Sequence, residues 1–360
     1  MHFFKLRLNR RRKAAAAFAG IALAGALAGC GGAADTTSSS GATKSSSASA
    51  PASAQLALVA YSTPQAAYAE LISAFEHTTS AGKGISFSES FGASGAQSRA
   101  VDTGQPADVV AFSTTPDITR LVKDGIVAKT WDANPQKGIV ADSVVVIVVR
   151  KGNPKHITGW DDLIKPGVKV ITPNPSTSGS ARWNTLAAYG AQLKAGKTPA
   201  QALAYVRTLL TKNVTDQPSS ASAALQAFTG GEGDVLLDYE SDAIAAEKAG
   251  DAVQYVIPNQ TILIQTPIAV TTKSAHQVAA QAFVNWLWSD QAQTIWAQEG
   301  YRPVLKSVLA VYAGKFPTPP ELFTISDLGG WTKVSKTFFA PSTGAITKIE
   351  AAAGVPTAAS

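Results

Sequence analysis

The sequence has little of the residues on which enzymes and metal sites most often depend. Its 360 residues contain one cysteine and four histidines, so neither an internal disulfide nor a Cys-based zinc site can form. No nucleophile elbow is present, because the position two residues after Ser94 is Ala96 where the motif requires glycine. A phosphate-binding Walker loop is also absent, because the position five residues before Gly82 is His77 where the motif requires glycine. Asp238, Glu240 and Asp242 are acids of the kind that usually face solvent or cap helices, so they do not indicate a catalytic pair. These features predict a protein that is not an enzyme and holds no metal.

Basic charge is concentrated at the N-terminus. Residues 1–29 carry six Lys and Arg and no acid, and an apolar run from Ala14 to Gly29 follows the basic residues. This pattern is typical of a secretory signal peptide and is too short to span a membrane comfortably. The remaining chain has 25 basic and 25 acidic residues, so no basic face predicts nucleic-acid binding.

The only cysteine lies directly after this leader. Cys30 follows Leu27-Ala28-Gly29 and resembles the lipobox cysteine of bacterial lipoproteins, which is acylated and becomes the mature N-terminus. The alternative is a chance cysteine behind an ordinary signal peptide, exported by the general or the twin-arginine route. Residues 30–54 are Ser, Ala, Gly and Thr almost throughout, which predicts a disordered tether. We therefore expect a protein anchored by lipid to the outer face of the cell membrane.

Strand-like and helix-like runs alternate along residues 55–347. The strand-like runs are 56–61, 108–112, 143–150, 168–171, 234–238, 252–257 and 268–271, and the helix-like runs are 65–76, 118–124, 160–164, 199–210, 219–228 and 277–289. Such alternation favours an α/β fold in which helices cover mostly parallel sheets. Val144 to Val149 contains only Val and Ile, which predicts a strand buried on both faces.

The most informative stretch is Val168 to Asn184. A short strand is followed by two prolines, a hydroxyl-rich turn at Ser176 to Ser180, and a run of helical composition. The backbone N–H groups at a helix start lack intrahelical partners and carry the positive end of the helix dipole, so an anion can bind there. The hydroxyl groups could instead act as an ordinary helix cap.

One pattern occurs twice. Ser94 precedes Asp108 by 14 residues and Ser220 precedes Asp234 by the same interval. Each unit reads as a small-residue turn, a short helix, a glycine-containing break and a strand that begins at the aspartate. The repetition predicts two similar lobes, although many βα units look alike.

Several motifs in a fixed order resemble the sulfate-binding proteins of bacterial sulfate/thiosulfate ABC importers, and the match covers about 56–347. The motifs are Arg150-Lys151-Gly152-Asn153-Pro154-Lys155, Trp160-Asp161-Asp162-Leu163, Lys165-Pro166-Gly167, Val170-Ile171-Thr172-Pro173-Asn174-Pro175, Gly233-Asp234-Val235-Leu236, Tyr301-Arg302-Pro303 and Leu322-Phe323-Thr324-Ile325 with Gly329-Gly330-Trp331.

The resemblance implies a type II periplasmic-binding-protein clamshell of class α/β. Two lobes would be joined by hinge crossings near 144–150 and 258–271 and would close over an oxyanion. Lobe 1 would comprise 55–146 and 265–315, lobe 2 would comprise 147–264, and 316–360 would pack on this body.

The resemblance also implies seven sulfate ligands that are uncharged donors. They are Ser62, Ser94, Ser178, Gly179, Ser180, Ser220 and Tyr239. Ser62 replaces a family aspartate that binds through its amide. Tyr239 replaces a family tryptophan, and a phenol can accept a hydrogen bond as well as donate one, which bears on the discrimination against hydrogen phosphate. Asp238 is expected outside the pocket. Arg182 would support the central turn from behind.

The function implied is extracytoplasmic sulfate binding by a monomer that needs no cofactor and delivers its ligand to ABC permease and ATPase subunits. Thiosulfate, molybdate or phosphate could take the place of sulfate. A cell-surface hydrolase of sulfate or phosphate esters and a structural lipoprotein with a vestigial pocket are the alternatives from other classes.

Overall fold

The computed structural model describes Ser53 to Thr357. The predicted signal peptide, Cys30 and nearly all of the predicted tether lie outside the described residues. Ala54, which the sequence assigned to the tether, is the first residue of β1 and pairs with Ile85. No helix between Ser53 and Thr357 is long and apolar enough to cross a membrane.

Ten strands form one continuous sheet. They are β1 (Ala54–Tyr61), β2 (Ile85–Gly92), β3 (Val109–Ala111), β4 (Ile139–Arg150), β5 (Val170–Ile171), β6 (Val214–Asp216), β7 (Val235–Tyr239), β8 (Val253–Val256), β9 (Gln260–Val270) and β10 (Glu321–Phe323). The strand order is β2-β1-β3-β9-β4-β7-β5-β6, with β10 on β9 and β8 on β4.

Helices connect most of the strands along the chain, and α11 and α12 follow the last strand. They are α1 (Gln65–Thr78), α2 (Ser94–Asp102), α3 (Thr115–Lys123), α4 (Gly179–Lys194), α5 (Pro199–Thr208), α6 (Ala221–Thr229), α7 (Glu240–Ala249), α8 (Gln277–Trp286), α9 (Asp290–Gln298), α10 (Lys306–Val311), α11 (Gly330–Val334) and α12 (Ala345–Ala352). Trp160–Ile164, predicted as helical, forms a 3₁₀ helix.

The sheet is mixed: among the described strands five pairings are parallel and four are antiparallel, so the predicted parallel pairing accounts for a little over half of it. Strands β1, β2 and β3 are parallel to one another, as are β5, β6 and β7. The two long strands β4 and β9, however, run antiparallel to each other and to their neighbours β7 and β3. Only 268–271 was predicted as a strand in this region, which covers the last three residues of β9, so the antiparallel pairing of β9 with β4 was not predicted.

Strand β4 belongs to both halves of the molecule. Its first half pairs with β9 as far as Val144, and from Val145 it pairs with β7. Val144 to Val149 is at most 1% exposed, as expected for a strand covered on both faces. The strand therefore changes neighbours in its middle, which is where the two-lobed fold has its first hinge crossing; β9 provides the second.

The C-terminal segment completes the hydrophobic core beside α4. Phe323, Ile325, Val334, Phe338 and Ile349 pack in one apolar cluster with side chains of α4 and α5. Trp331 packs edge-on against Trp183 of α4, with ring centroids 4.7 Å apart. The segment after β10 therefore fixes the position of α4, the helix whose N-terminus the sequence singled out.

Candidate ligand site between the lobes

The predicted ligand residues follow the carboxyl ends of parallel strands. Tyr61 of β1 pairs with Gly92 of β2, so Ser62 and Ser94 leave the sheet at the same edge. In the second set Ile171 of β5 pairs with Leu236 of β7. The other predicted ligand residues lie at or after the ends of β5, β6 and β7, and they are Ser178 to Ser180, Ser220 and Tyr239. Ligands in α/β proteins bind at this edge of a sheet.

The repeated unit noted in the sequence is also repeated in space. Asp108 donates its N–H to the Ala57 carbonyl group, and its carboxylate accepts the Ala57 N–H at 2.7 Å. Asp234 makes the same two bonds with Lys169, the carboxylate contact being 3.0 Å. Each aspartate thus ties the start of its own strand to the neighbouring strand. The unit repeated in the sequence therefore makes the same backbone contacts in both places.

Helices α2 and α4 begin face to face. The Gly95 N–H donates to the Thr177 carbonyl oxygen at 3.1 Å, and a Cβ atom at Gly95 would lie only 2.9 Å from that oxygen. Ser178 is the N-cap of α4 and Ala93 that of α2, and neither makes a side-chain capping bond. Two helix N-termini with their positive dipole ends therefore converge on one place.

Tyr239 is buried where the lobes meet. Its hydroxyl oxygen lies 2.7 Å from Ser113 Oγ, and its side chain is fully buried. Burial raises the pKa of the Tyr239 hydroxyl well above its ordinary value, and hydrogen bonds with Ser113 and Ser180 offset part of that rise. The phenol is therefore protonated at every physiological pH and can act as a hydrogen-bond donor.

Ser113 links most of this site and was not predicted from the sequence. Its N–H donates to Ser94 Oγ at 3.0 Å and its carbonyl oxygen accepts the Trp183 indole N–H at 2.8 Å. A Cβ atom at Gly179 would lie 2.6 Å from Ser113 Oγ, so only glycine fits there without displacement. Ser113 stands at the same point of its unit as Tyr239 does, and the repetition of Asp108 and Asp234 could have located it.

Asp117 is the buried acid behind this contact, and it too was missed. Ser94 and Thr114 donate their hydroxyl protons to its Oδ2 atom at 2.7 and 2.8 Å. Its Oδ1 atom lies 3.5 Å from Arg120 Nη1. The hydroxyl group of Ser94 is thereby fully used, so this residue could offer an anion only its backbone N–H. The spacing Thr114-x-x-Asp117 at the start of α3 is the signal that could have found the acid.

The remaining predicted residues lie around this centre. Ser220 caps α6 by accepting the Ala223 N–H at 3.2 Å, and the neighbouring Ser219 carbonyl oxygen accepts the Thr177 hydroxyl at 2.7 Å. Arg182 donates its Nε–H to the Pro175 carbonyl oxygen at 3.0 Å. Ser62 is half-buried after β1, and within Ser53 to Thr357 its side chain makes no hydrogen bond to another ligand candidate.

One expectation about the acids near Tyr239 is wrong. Asp238, Glu240 and Asp242 were predicted to face solvent or cap helices, but all three are at most 5% exposed. Glu240 forms a bidentate ion pair with Arg302, in which Nε donates to Oε2 at 2.6 Å and Nη2 donates to Oε1 at 2.9 Å. Asp238 accepts the Tyr239 N–H at 2.9 Å, and burial raises its pKa to about 7.

The site contains donors and dipoles but no metal ligands. Between Ser53 and Thr357 no group of three or more His, Cys, Asp or Glu side chains could hold a metal ion. The two lobes share two long strands, and they meet through helix N-termini, serines and a buried tyrosine. This arrangement defines a solute-binding protein.

Comparison with known proteins agrees with this class. A family model described as bacterial extracellular solute-binding protein matches residues 56–302. A sulfate-binding protein of Synechococcus elongatus is 41% identical over 79% of this chain and 83% of its own length. A thiosulfate-binding protein of Pseudomonas aeruginosa is 36% identical over 80% of this chain and 90% of its own.

A solved structure is also similar. The sulfate-binding protein SubI of Mycobacterium tuberculosis is 48% identical, with a TM-score of 0.78 over 79% of this chain and 99% of that one. The chain belongs to the bacterial extracellular solute-binding protein family, in the group that contains the sulfate-binding proteins. This confirms the predicted clamshell fold and an extracytoplasmic location. The relatives are named as binding proteins, so the prediction that the chain is not an enzyme is also confirmed.

Proposed function

We propose that the protein binds sulfate between its lobes and delivers it to an ABC permease. The observation that carries this proposal is the meeting of two uncapped helix N-termini, those of α2 and α4, beside the buried hydroxyl of Tyr239. The relatives named as sulfate-binding proteins support the choice of anion. Preorganised dipoles in a site shielded from water can hold a dianion without a counter-charge.

The proposed ligands are the seven residues named from the sequence, used in two ways. Ser62, Ser94, Gly179, Ser180 and Ser220 would donate through backbone N–H groups. Tyr239 would donate through its hydroxyl group, and so would Ser178, since the Ser178 N–H is already bound to the Asn174 carbonyl oxygen. Arg182 would act indirectly, because its contact with Pro175 holds the loop before α4.

We propose the lobe boundaries on the same basis, with lobe 1 at 55–146 and 265–315 and lobe 2 at 147–264. The change of partner along β4 between Val144 and Val145 supports the first boundary. Residues 316–360 would belong with lobe 2, since the described part of that segment packs on α4 and α5.

Sulfate binding can be tested by thermal unfolding of residues 55–360 in a buffer free of sulfate and phosphate. Sulfate at 1,000 times its dissociation constant should stabilise the fold by about 4 kcal/mol. Thiosulfate is the second candidate ligand, supported by the relatives of that name, and molybdate and phosphate serve as comparisons. Unchanged unfolding with all four anions would rule out the proposal.

We further propose that Cys30 carries a lipid anchor, on the strength of the leader and the small residues before it. A Cys30→Ser variant expressed in a bacterial host should be recovered from the medium or the periplasm. The unaltered chain should be recovered with membranes and should incorporate labelled palmitate. Equal release of both forms would contradict the anchor. The permease and ATPase partners follow from the group to which the chain belongs, and co-purification with the membrane subunits would test them.

A further inference from the structure

A second cavity lies beside the proposed sulfate site. Its volume is about 1220 Å³, and it is enclosed by α2, α3, the loop before α4 and the C-terminal segment. None of the seven proposed sulfate ligands lines it. It is therefore a separate space, and it is larger than a tetrahedral oxyanion requires.

The walls of this cavity are strongly basic. Five cationic side chains line it, and they are Arg99, Arg120, Lys123, Arg182 and Lys336. The acids that line it are Asp124 and Glu350. Burial raises the pKa of Glu350 to about 7, so this carboxyl group supplies less than a full negative charge near neutral pH. The cavity therefore carries an excess of at least three positive charges.

The guanidinium groups are incompletely satisfied by the protein. Arg99 Nη2 is buried and has no hydrogen-bond partner in the part of the chain that the structure describes. Burial and the nearby charges of Arg120 and Arg182 lower the pKa of Arg99. Asp117 offers limited compensation, because one of its oxygens already accepts the hydroxyl protons of Ser94 and Thr114. The cationic side chains that line the cavity can form charge-assisted hydrogen bonds with an anion, and such bonds are the strong ones.

The opposite wall is apolar and aromatic. Trp331, Phe339 and Ile346 line the same cavity, and the Arg182 guanidinium lies 5.3 Å from the centre of the Phe339 ring. Guanidinium groups bind phosphate and carboxylate through paired donors and also stack on rings. A ligand that fits both walls must combine several negative charges with an apolar or aromatic body.

We propose that this cavity is a second binding site, for an organic polyanion that carries two or more phosphate, sulfate or carboxylate groups on such a body. A concave space of this volume is large enough to hold a small-molecule ligand. The ligand would contact α2 and α3 on one side and the loop before α4 on the other, so it would join the same two parts that meet at Gly95 and Thr177. Its occupancy would favour the closed arrangement and slow the release of sulfate.

The test uses the protein saturated with sulfate and titrated by calorimetry with ATP and with tripolyphosphate. ATP supplies charges and a ring, and tripolyphosphate supplies the charges alone. We expect one ATP per chain, weaker binding of tripolyphosphate, and weaker binding of both at high ionic strength. Sulfate binding is measured first and separately, so its failure cannot be mistaken for failure at this cavity.

Charge-removing variants make the test specific. Arg99→Gln should weaken ATP binding by about tenfold or more, since charge-assisted bonds are the strong ones. Lys336→Gln, at an exposed position, should weaken it less and carries no risk to folding. Arg207→Gln is the matched control, because Arg207 is exposed on α5 and does not line the cavity. No binding of either polyanion, or equal binding by Arg99→Gln and Arg207→Gln, would overturn the proposal.

Discussion

Ser113 and Tyr239, whose hydroxyl oxygens lie 2.7 Å apart, are separated by 126 positions in the chain. That separation equals the one between Asp108 and Asp234, which make identical backbone contacts in their respective lobes. The two residues therefore occupy equivalent positions, each at the end of an aspartate-led strand. The contact between the lobes therefore joins equivalent positions of the two repeated units. That position is a serine in one unit and a tyrosine in the other.

The hydroxyl group of Tyr239 is expected to matter for both affinity and selectivity. Tyr239→Phe removes one hydrogen bond to a charged ligand and to Ser113, so sulfate binding should weaken by about ten- to a hundredfold. Tyr239→Trp supplies an indole that donates but cannot accept, so it should retain sulfate and bind hydrogen phosphate less well. Calorimetric titration with both anions gives the comparison. Tyr312→Phe, a change outside the site, is the control. Unaltered sulfate affinity in Tyr239→Phe would exclude this phenol as a ligand.

Gly95 should be required for close approach of the lobes. In Gly95→Ala the new Cβ atom would lie 2.9 Å from the Thr177 carbonyl oxygen, and backbone can shift only by opening the contact. We expect weaker sulfate binding and faster sulfate release, measured by stopped-flow fluorescence, with little change in the unfolding of the ligand-free protein. Gly314→Ala is the control, because nothing lies within 4 Å of its Cβ position. Equal release rates in the two variants would contradict a role for this contact in closure.

Asp142 should make the fold less stable as the pH rises. Burial raises the pKa of Asp142 to about 7, although Arg302 opposes the rise, and the ordinary value is near 4. The folded protein thus binds more protons than the unfolded chain between about pH 4 and pH 7, so stability falls across that window as the pH rises. Asp142→Asn should flatten the fall and stabilise the protein at pH 8, by up to about 4 kcal/mol.

Urea unfolding of Asp142→Asn at pH 5 and pH 8 measures this contribution. Asp161→Asn serves as the control because that side chain is exposed. Since burial also raises the pKa values of Asp238 and Glu350 to about 7, a residual slope is expected in the variant. The prediction fails if Asp142→Asn and the unaltered protein lose the same stability between the two pH values.

Removing only one partner of the buried ion pair between Glu240 and Arg302 should strongly lower the free energy of unfolding. Both side chains are at most 6% exposed, so Arg302→Met leaves an isolated carboxylate in the interior. We expect a loss of about 3 to 5 kcal/mol in the free energy of unfolding. The double variant Arg302→Met with Glu240→Gln should lose less than Arg302→Met alone. A double-mutant cycle in urea checks this, and simple additivity of the two single losses would contradict it.

Patterns within short stretches of the sequence predicted much of the fold and part of the proposed site. The run of Val and Ile at 144–149, the 14-residue interval from serine to aspartate and the turn before α4 are patterns within short stretches of the chain, so the sequence alone revealed them. The partners of the two aspartates, 51 and 65 residues away, were not predicted. Ser113 and Asp117 were missed because their roles arise from contacts with Tyr239 and Ser94 in other segments. The repetition of Asp108 and Asp234 and the spacing Thr114-x-x-Asp117 are the local signals that could have pointed to them. Glu240 was misjudged for the same reason, since its partner Arg302 lies 62 residues away.

The position at which β4 changes partners has a mechanical consequence. Val145, the first residue to pair with β7, lies opposite Tyr239, so this tyrosine is held by backbone pairing at the point where β4 passes from one set of strands to the other. A rotation of the two sets about this point would change the position of Tyr239 relative to β4 very little. The phenol would then be a fixed reference within the proposed site, whatever the two sets of strands do around it.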